Sequence, residues 1–386
     1  MVRGICGVPA LFLGIVVVLA PAERPAIASS GPSFNIVATA PTRTSRIRLS
    51  ADGSTVAFTD TSTGNELPFR WRSNTGLTPL PFEGDTWING ISHDGGLVLG
   101  AVGPGKTSTF RWSEAGGVQQ LNFEQPAGHG AESRAMSADG STVVGYTYGP
   151  QLAWFESFRW RDGQGPADRF ASSLGDSGKP SVANGVSADG SAVAGRYESD
   201  VYRWTTAGGL QVLWQGAAND PSISGNGLVV AVSRADAVSQ QWSATGGVQD
   251  LVTPAGWNRA LVSAVNGSGS LISGVLRQPT NAGADFEGVV WDDAGQPQLL
   301  KNYLAARGVD VSQWSSLTPL SISNDGQTFA GYGIDSAGLG HVWVATVPEP
   351  SAALLLGLSC GWLLRRRRAW ALGQPARACP RRFENR

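Results

Sequence analysis

The chain has 386 residues, with 51 glycines and 14 tryptophans, and its formal net charge at pH 7 is −1. Eight arginines and one glutamate give the segment Arg365–Arg386 a charge of +7, and residues 1–28 carry +1, so the remainder carries −9. That acidic region disfavours nucleic-acid binding, which depends on cationic contacts to phosphate. The three cysteines lie near the chain ends, which excludes disulfides and thiolate metal sites from the region between them.

Residues 1–28 have the three parts of a secretory signal peptide. Arg3 supplies the positive start, Val8–Ala20 is an apolar core of about a dozen residues, and small residues follow. Cleavage is predicted after Ala22 or Ala28. The alternative is a buried N-terminal helix, but such a helix would need a polar face that this segment lacks. We therefore expect the protein to be exported.

From about residue 44 to 346 the chain repeats one pattern seven times: a Ser-x-Asp-Gly turn and, some twenty residues later, a tryptophan ending an apolar run. The turn glycines are Gly53, Gly95, Gly140, Gly190, Gly227, Gly269 and Gly326. The paired tryptophans are Trp71, Trp112, Trp160, Trp204, Trp242, Trp291 and Trp343. Repeats of about 40–50 residues are typical of solenoids and propellers, so residues 29–347 are predicted to form one repeat domain.

The third repeat shows the structural unit most clearly. Asp139-Gly140 separates two β-favouring segments, which predicts a hairpin because glycine accepts the positive φ of the turn. Ser157–Trp160 is a third strand, and Gly-Gly pairs such as Gly208-Gly209 lead into a fourth. Four antiparallel strands in each of seven repeats predict an all-β fold, a seven-bladed β-propeller.

The two ends of the repeat region bear on how the ring closes. The seventh repeat reaches Pro348 with no room for a fourth strand, whereas an orphan strand, Phe34–Thr39, precedes the first repeat. We predict that this strand completes the last blade and so closes the ring, which removes the open sheet edges. Gln298–Ala306 has leucines on one helical face and Gly308 as a C-terminal cap, so a short helix over the ring is expected.

The tripeptide Phe-Arg-Trp ends at Trp71, Trp112 and Trp160, and Tyr202-Arg203-Trp204 nearly matches it. Together with Ser-x-Asp-Gly and a following Val-Gly, these tripeptides resemble the HAF-type extracellular repeat proteins over about 300 residues. The resemblance implies an exported domain of β-repeats and implies no particular activity.

The turn aspartates have two possible functional interpretations, as calcium ligands or as the Asp-box of sialidases. Calcium loops concentrate several oxygen ligands in one stretch, whereas each turn here has one acid. The Asp-box needs another residue between aspartate and glycine, and Asn226 and Ser268 replace the acid in two turns. We interpret these residues as turn formers and predict neither a metal nor another cofactor.

The tryptophans of the repeat are predicted to be core residues because their spacing is regular. Trp87, Trp154, Trp214, Trp257 and Trp314 depart from that spacing and are predicted to lie on the face opposite the Asp-Gly turns. Large aromatic side chains gathered on one face suggest a binding surface, and flat rings suit sugars. Ligand binding through Trp154, Trp214 and Trp257 is therefore predicted, with packing between blades as the alternative.

No catalytic residue is predicted. The sequence contains no HExxH motif and no Gly-x-Ser-x-Gly nucleophile elbow. Glycosidase carboxylates meet in space and leave no sequence motif, so a polysaccharide-degrading propeller enzyme stays an alternative. A purely structural coat or adhesion protein is another.

The C-terminal end has three elements in order. Pro348, Glu349 and Pro350 precede the apolar segment 351–364, which is followed by Arg365, Arg366, Arg367 and Arg368. Fourteen helical residues span about 21 Å, short of a hydrocarbon core of about 30 Å, so a membrane helix here would need its flanking residues in the interface.

Residues 348–368 resemble the PEP-CTERM sorting signal of Gram-negative bacteria. The resemblance implies recognition by an exosortase, a membrane enzyme of organisms that make exopolysaccharide. A plain membrane anchor is the alternative, and residues 369–386 form a basic extension beyond the usual tail.

These features together predict an exported, non-catalytic protein of the cell surface or extracellular matrix that binds exopolysaccharide or another surface ligand. An exosortase-type enzyme is the expected partner, with transient anchoring in the inner membrane through residues 351–364, and nucleic acid is not expected to bind.

Overall fold

A computed structural model describes residues 31–40, 46–62, 65–82, 84–103, 108–123, 130–149, 155–169, 179–216, 219–236, 238–280 and 283–348. The predicted signal peptide, Trp154 and the chain from Glu349 onward lie outside the described residues.

The described strands form seven four-stranded antiparallel sheets, and each sheet is one blade of a propeller. The chain begins with β1 (Ser33–Thr39). Blade 1 contains β2 (Ile47–Leu49), β3 (Thr55–Asp60), β4 (Leu67–Arg72) and β5 (Gly76–Pro79). Blade 2 contains β6 (Thr86–Ile91), β7 (Leu97–Val102), β8 (Ser108–Ser113) and β9 (Gly117–Gln120). Blade 3 contains β10 (Gly130–Met136), β11 (Thr142–Tyr148), β12 (Phe155–Arg161) and β13 (Gln164–Arg169).

Blade 4 contains β14 (Ser181–Val186), β15 (Ala192–Tyr197), β16 (Asp200–Thr205) and β17 (Gly209–Trp214). Blade 5 contains β18 (Ser222–Ile223), β19 (Val229–Ser233), β20 (Ser239–Ser243) and β21 (Gly247–Leu251). Blade 6 contains β22 (Arg259–Val265), β23 (Leu271–Thr280), β24 (Gly283–Asp292) and β25 (Pro297–Leu299), and the helix α1 (Leu300–Ala305) follows. Blade 7 contains β26 (Trp314–Ile322), β27 (Thr328–Asp335) and β28 (Gly340–Thr346). The predicted seven-bladed propeller is confirmed.

The first strand of the chain completes the last blade, as predicted. Strand β1 pairs antiparallel with β28, from Ser33 opposite Thr346 to Thr39 opposite His341. Its Val37 is buried among residues of blades 1 and 7. Pairing of the two ends of the propeller domain in one sheet closes the ring.

Each Asp-Gly turn joins the first and second strands of its blade through a compact hydrogen-bond network. In blade 3 the Ser137 hydroxyl donates to Asp139 Oδ1 at 2.6 Å and accepts from the backbone N–H of Thr142 at 2.9 Å. Asp139 Oδ1 also accepts from the N–H of Ser141 at 2.9 Å, and Gly140 has φ 73°. Asn226 occupies the aspartate position in blade 5 and accepts the Ser224 hydroxyl at the same 2.6 Å. The turn-forming interpretation is confirmed.

Three of the turn carboxylates make the free energy of unfolding depend on pH. Hydrogen bonds from the serine hydroxyl and the following backbone N–H lower the pKa of Asp139 and Asp189, and those from Gly96 N–H and Ser92 lower that of Asp94. A carboxyl group with a lowered folded-state pKa stabilises the fold above the unfolded-state pKa of about 3.9. That stabilisation is lost as the pH falls through the folded-state pKa.

The triple variant Asp94→Asn/Asp139→Asn/Asp189→Asn is therefore expected to fold, since blade 5 already uses asparagine. Its denaturant midpoint should fall less than that of the unchanged protein between about pH 5 and pH 3. The matched control makes the same change to asparagine at three exposed aspartates outside these turns, Asp236, Asp285 and Asp293. Equal acid sensitivity of the triple variant and the unchanged protein would contradict the expectation.

Five first strands carry a β-bulge at the same place, and a glycine lies opposite each bulge. The register shifts by one residue at Asn89, Arg134, Asn184, Ser263 and Leu320. The paired glycines of the second strands are Gly100, Gly145, Gly195, Gly274 and Gly331. A Cβ at any of them would overlap a carbonyl oxygen of the bulged strand, for example that of Glu132 at Gly145. The Val-Gly element of the repeat therefore accommodates the bulge.

The arginine of Phe-Arg-Trp connects one blade to the next. Arg111 of blade 2 donates to the carbonyl of Gly140 at 2.7 Å and to Asp162 Oδ2 at 2.8 Å, both in blade 3. Its guanidinium lies 5.4 Å from the ring centroid of Trp160. The corresponding arginines of blades 1, 3 and 4 lie over the next blade's tryptophan in the same way. Blade-to-blade packing thus explains the tripeptide.

The core prediction for the repeat tryptophans holds fully for three of them. Trp112, Trp291 and Trp343 are buried, whereas the other four are half-buried. The helix α1 is shorter than predicted. Its Leu304 packs with Phe329 and Trp343 between blades 6 and 7, so the helix does not simply lie over the ring. The predicted cap is present, because Gly308 has φ 83° and Val309 N–H donates to Leu304 O at 3.1 Å.

Candidate functional site: the axial channel

The seven turns are hydrogen-bonded to one another in a closed circle, which we call the turn collar. The N–H of His93 donates to Ala138 O at 2.7 Å, and Ala138 N–H donates to Ala188 O at 2.9 Å. The other links run from Asp52 to His93, Ala188 to Gly225, Asn226 to Gly267, Gly267 to Asn324 and Asn324 to Ala51. At about 4.8 Å per hydrogen-bonded neighbour, seven turns make a circle of backbone about 11 Å across.

Beside the turn collar the seven first strands enclose a cavity of about 430 Å³, the axial channel. Every first strand contributes to its wall, and the five bulged residues face it with Arg48 of blade 1 and Ser222 of blade 5. A bulge turns a side chain out of the regular alternation of its strand. Five bulges at one level therefore direct five extra side chains toward the propeller axis.

Two charged side chains of the channel form ion pairs within the described residues, and a third, that of Arg48, does not. Arg134 lies 3.3 Å from Glu132, and Asp220 lies 3.0 Å from Arg196. Arg48 makes no ion pair within the described residues. Its Nε donates to the carbonyl of Asn89 at 3.0 Å and its Nη1 to that of Ile47 at 3.2 Å.

The surroundings of Arg48 disfavour its charge. Burial, together with the nearby positive charges of Arg46 and Arg134, lowers the pKa of Arg48 to about 10. Burial also lowers the pKa of Arg46, whose Nη1 donates to Asn89 Oδ1 at 2.6 Å. Arg48 is still protonated at neutral pH, so the channel contains a half-buried cation that lacks a carboxylate partner among the described residues.

The opposite face of the ring, the loop face, carries several aromatic residues at strand ends. The guanidinium of Arg46 lies 3.6 Å from the ring centroid of Trp87. The Tyr146 hydroxyl donates to Glu132 Oε2 at 2.5 Å, and its ring lies 5.1 Å from that of Phe155. Burial, with the hydrogen bond to Glu132, raises the pKa of Tyr146 to about 12, so this phenol stays neutral.

The structure describes two of the three predicted ligand-binding tryptophans, and these two differ in burial. Trp214 ends β17 and is only 5% exposed, packed with Val201 and Val230 between blades 4 and 5. A ring buried in this way presents no face to a sugar. Trp214 therefore packs between blades, which was the alternative to ligand binding. Trp257 lies in the β21–β22 connection and is half-buried against blade 6 residues, and Trp154 lies outside the described residues.

Two further tryptophans predicted to lie on the face opposite the Asp-Gly turns belong to first strands. Trp87 is the second residue of β6 and is half-buried. Trp314 begins β26 and is buried, with its ring 5.0 Å from that of Phe34. The sorting motif cannot be placed in the same way, because Pro348 is its last described residue.

Sequence reasoning missed Arg48, Asn89, Arg134 and Asn184 as channel residues. In the bulged strands the bulged residue that lines the channel is three residues before the first residue of the turn, as in Asn89 before Ser92. The Val-Gly element of the following strand was the available signal, because its glycine accompanies the bulge.

Within the described ranges, no group of three His, Cys, Asp or Glu side chains could hold a metal ion. Among the described residues, no helix is long and apolar enough to cross a membrane. The helix α1 has six residues. The proposed membrane segment 351–364 lies outside the described residues.

Comparison with known proteins gives a distant structural match. No protein-family model and no curated protein matches the chain. A solved structure titled TolB from Acinetobacter baumannii is similar to it at 15% sequence identity and a TM-score of 0.40. The match covers 56% of this chain and 53% of that one, so it spans about half of the TolB chain.

Proposed function

We propose that this protein is an exported binding propeller of the cell surface or extracellular matrix, with exopolysaccharide as its ligand and without catalytic activity. Residues 1–28 act as its signal peptide. Residues 348–368 act as a sorting signal for an exosortase-type enzyme, with residues 351–364 as a transient helix in the inner membrane.

The observation that carries the binding role is the partly exposed aromatic side chains on the loop face. Trp257 is half-buried in a connection between blades, and Tyr148 and Phe155 are half-buried at the adjoining ends of β11 and β12. Aromatic rings that keep one face in solvent suit stacking on sugar rings. We extend the proposal to Trp154, which lies six residues after Tyr148 in the sequence and outside the described residues.

The ring supplies a rigid support for these side chains. The turn collar and the inter-blade arginines hold blades to their neighbours, and the β1–β28 pairing fixes the start of the domain to its last blade. A ligand that contacts several blades then orders few new residues on binding, which lowers the entropic cost of association.

The secreted protein is expected to co-sediment with exopolysaccharide from the producing organism and to release no new chain ends. The variant Trp257→Ala should weaken retention at least fivefold, because loss of one stacking contact of about 1 kcal/mol or more has that effect. Leu228→Ala is the matched control, since Leu228 is exposed beside the Asn226-Gly227 turn on the other face. New chain ends would identify a polysaccharide-degrading enzyme instead. Self-association without retention would identify a structural coat protein.

A further inference from the structure

We propose that the axial channel binds a small organic acid, with the carboxylate held by Arg48 and a short apolar body lying against the first strands. This site is separate from the aromatic residues of the loop face and does not depend on saccharide binding.

The cation of Arg48 provides the first part of the site. Its guanidinium faces the cavity and uses Nε and Nη1 on two backbone carbonyls, and Nη2 has no hydrogen-bond partner among the described residues. An arginine fixed by two carbonyl groups has lost much of its side-chain freedom and can offer its remaining N–H groups to an anion. Each carboxylate beside the channel already has its own arginine, so none neutralises Arg48.

The side chains around Arg48 provide the second part. Ile91, Val186, Ile223 and Val262 come from four different blades, line the cavity and are half-buried. The amide of Asn184 also lines the cavity, and its Oδ1 is buried without a hydrogen-bond partner. A wall that combines apolar side chains with a few polar groups is typical of small-molecule sites.

The size of the cavity restricts the ligand. A volume of about 430 Å³ lies at the lower end of the range found for small-molecule pockets, about 300–1,000 Å³. A cavity of this volume holds a small molecule and not a polymer. The turn collar, a backbone circle about 11 Å across, lies at one end of the cavity, and we place the entrance for the ligand at the other end, at the loop face.

The energetics of Arg48 distinguish a binding residue from a structural one. Burial and two neighbouring arginines act against the charge of Arg48 in the ligand-free protein. Replacement by a neutral residue should therefore leave the melting temperature unchanged or raise it. A bound carboxylate would pair with the Arg48 cation, so that the charge would raise the melting temperature of the ligand-bound protein.

The test uses the full secreted protein with hexanoate, hexanamide and inorganic phosphate as probes, measured by calorimetry and thermal unfolding. Hexanoate is expected to bind saturably and raise the melting temperature, because a ligand specific for the folded state stabilises it. Hexanamide, which lacks the charge, and phosphate, which lacks the apolar body, should bind at least tenfold more weakly.

The variant Arg48→Gln should bind hexanoate at least tenfold more weakly and melt no lower than the unchanged protein without ligand. Arg48→Lys keeps the charge but loses the planar pair of N–H groups, so it should fold and bind with intermediate affinity. The control Arg277→Gln removes an exposed arginine of β23 and should bind normally.

Three results would overturn the proposal. They are absence of hexanoate binding, equal affinity of the Arg48→Gln variant, and affinity for hexanamide or phosphate equal to that for hexanoate. The Trp257→Ala variant should bind hexanoate like the unchanged protein even where it loses saccharide retention. The two proposals are therefore tested independently.

Discussion

Deletion of residues 31–39, which removes β1, is expected to lower the free energy of unfolding by more than about 5 kcal/mol. The strand forms the outer edge of blade 7 and pairs with β28 along its whole length. Its Phe34 ring lies 5.6 Å from that of Trp343, and its Val37 is buried. Two lost apolar contacts of about 2 kcal/mol each, with several ladder hydrogen bonds of about 1 kcal/mol each, exceed half of a typical domain stability.

The comparison is between chains that begin at Gly31 and at Ala40, both produced without the signal peptide. Urea unfolding followed by tryptophan fluorescence measures stability, and sedimentation velocity measures association through the exposed edge of β28. The longer chain should unfold cooperatively and remain monomeric. A shorter chain with the same urea midpoint and no association would show that β1 does not close the ring.

The second large effect is expected for Gly145→Val, which should cost about 3–5 kcal/mol. A side chain at this position overlaps the carbonyl oxygen of Glu132, which is backbone and part of a bulged strand. The strand can move away only by giving up the bulge at Arg134. The residues at the corresponding position of blades 1 and 5, Phe58 and Val232, have side chains, and the described pairing of those blades shows no bulge.

The control for this variant is Gly31→Val, because a Cβ at Gly31 meets no atom within 4 Å. Both variants are compared with the unchanged protein by urea unfolding. Gly145→Val should also alter the channel, since Arg134 would leave its position beside Glu132. A midpoint unchanged from that of the Gly31→Val control would mean that the glycine is not required by the bulge.

Much of the fold follows from local patterns that a sequence shows directly. The Ser-x-Asp-Gly turns depend on hydrogen bonds within six residues, as Ser137 with Asp139 and Thr142 demonstrates. Strand number and blade number follow from the repeat of these turns. The closing role of β1 also followed from counting, because the last repeat lacked one strand and the first was preceded by one.

Burial of individual aromatic residues did not follow from the same patterns. Trp214 and Trp257 both precede a new blade in the chain, yet only Trp214 is buried in the core. The difference arises because Trp214 is the last residue of a strand that packs against the next blade, whereas Trp257 lies in a connecting segment. Spacing along a chain fixes neither the distance between two blades nor which side chains fill the gap.

By itself the sequence determined the β-propeller, its seven blades, the turns and the closing strand, since each depends on periodicity or on contacts between neighbouring residues. The tertiary structure alone decided the channel. Arg48 and Leu320 lie near opposite ends of the propeller domain, and closure of the ring brings them into one cavity. The bulges then select which side chains face the axis, and no linear pattern shows that Arg48 is left without a carboxylate partner there. The physical reason is that charge pairing and burial are set by distances across the ring.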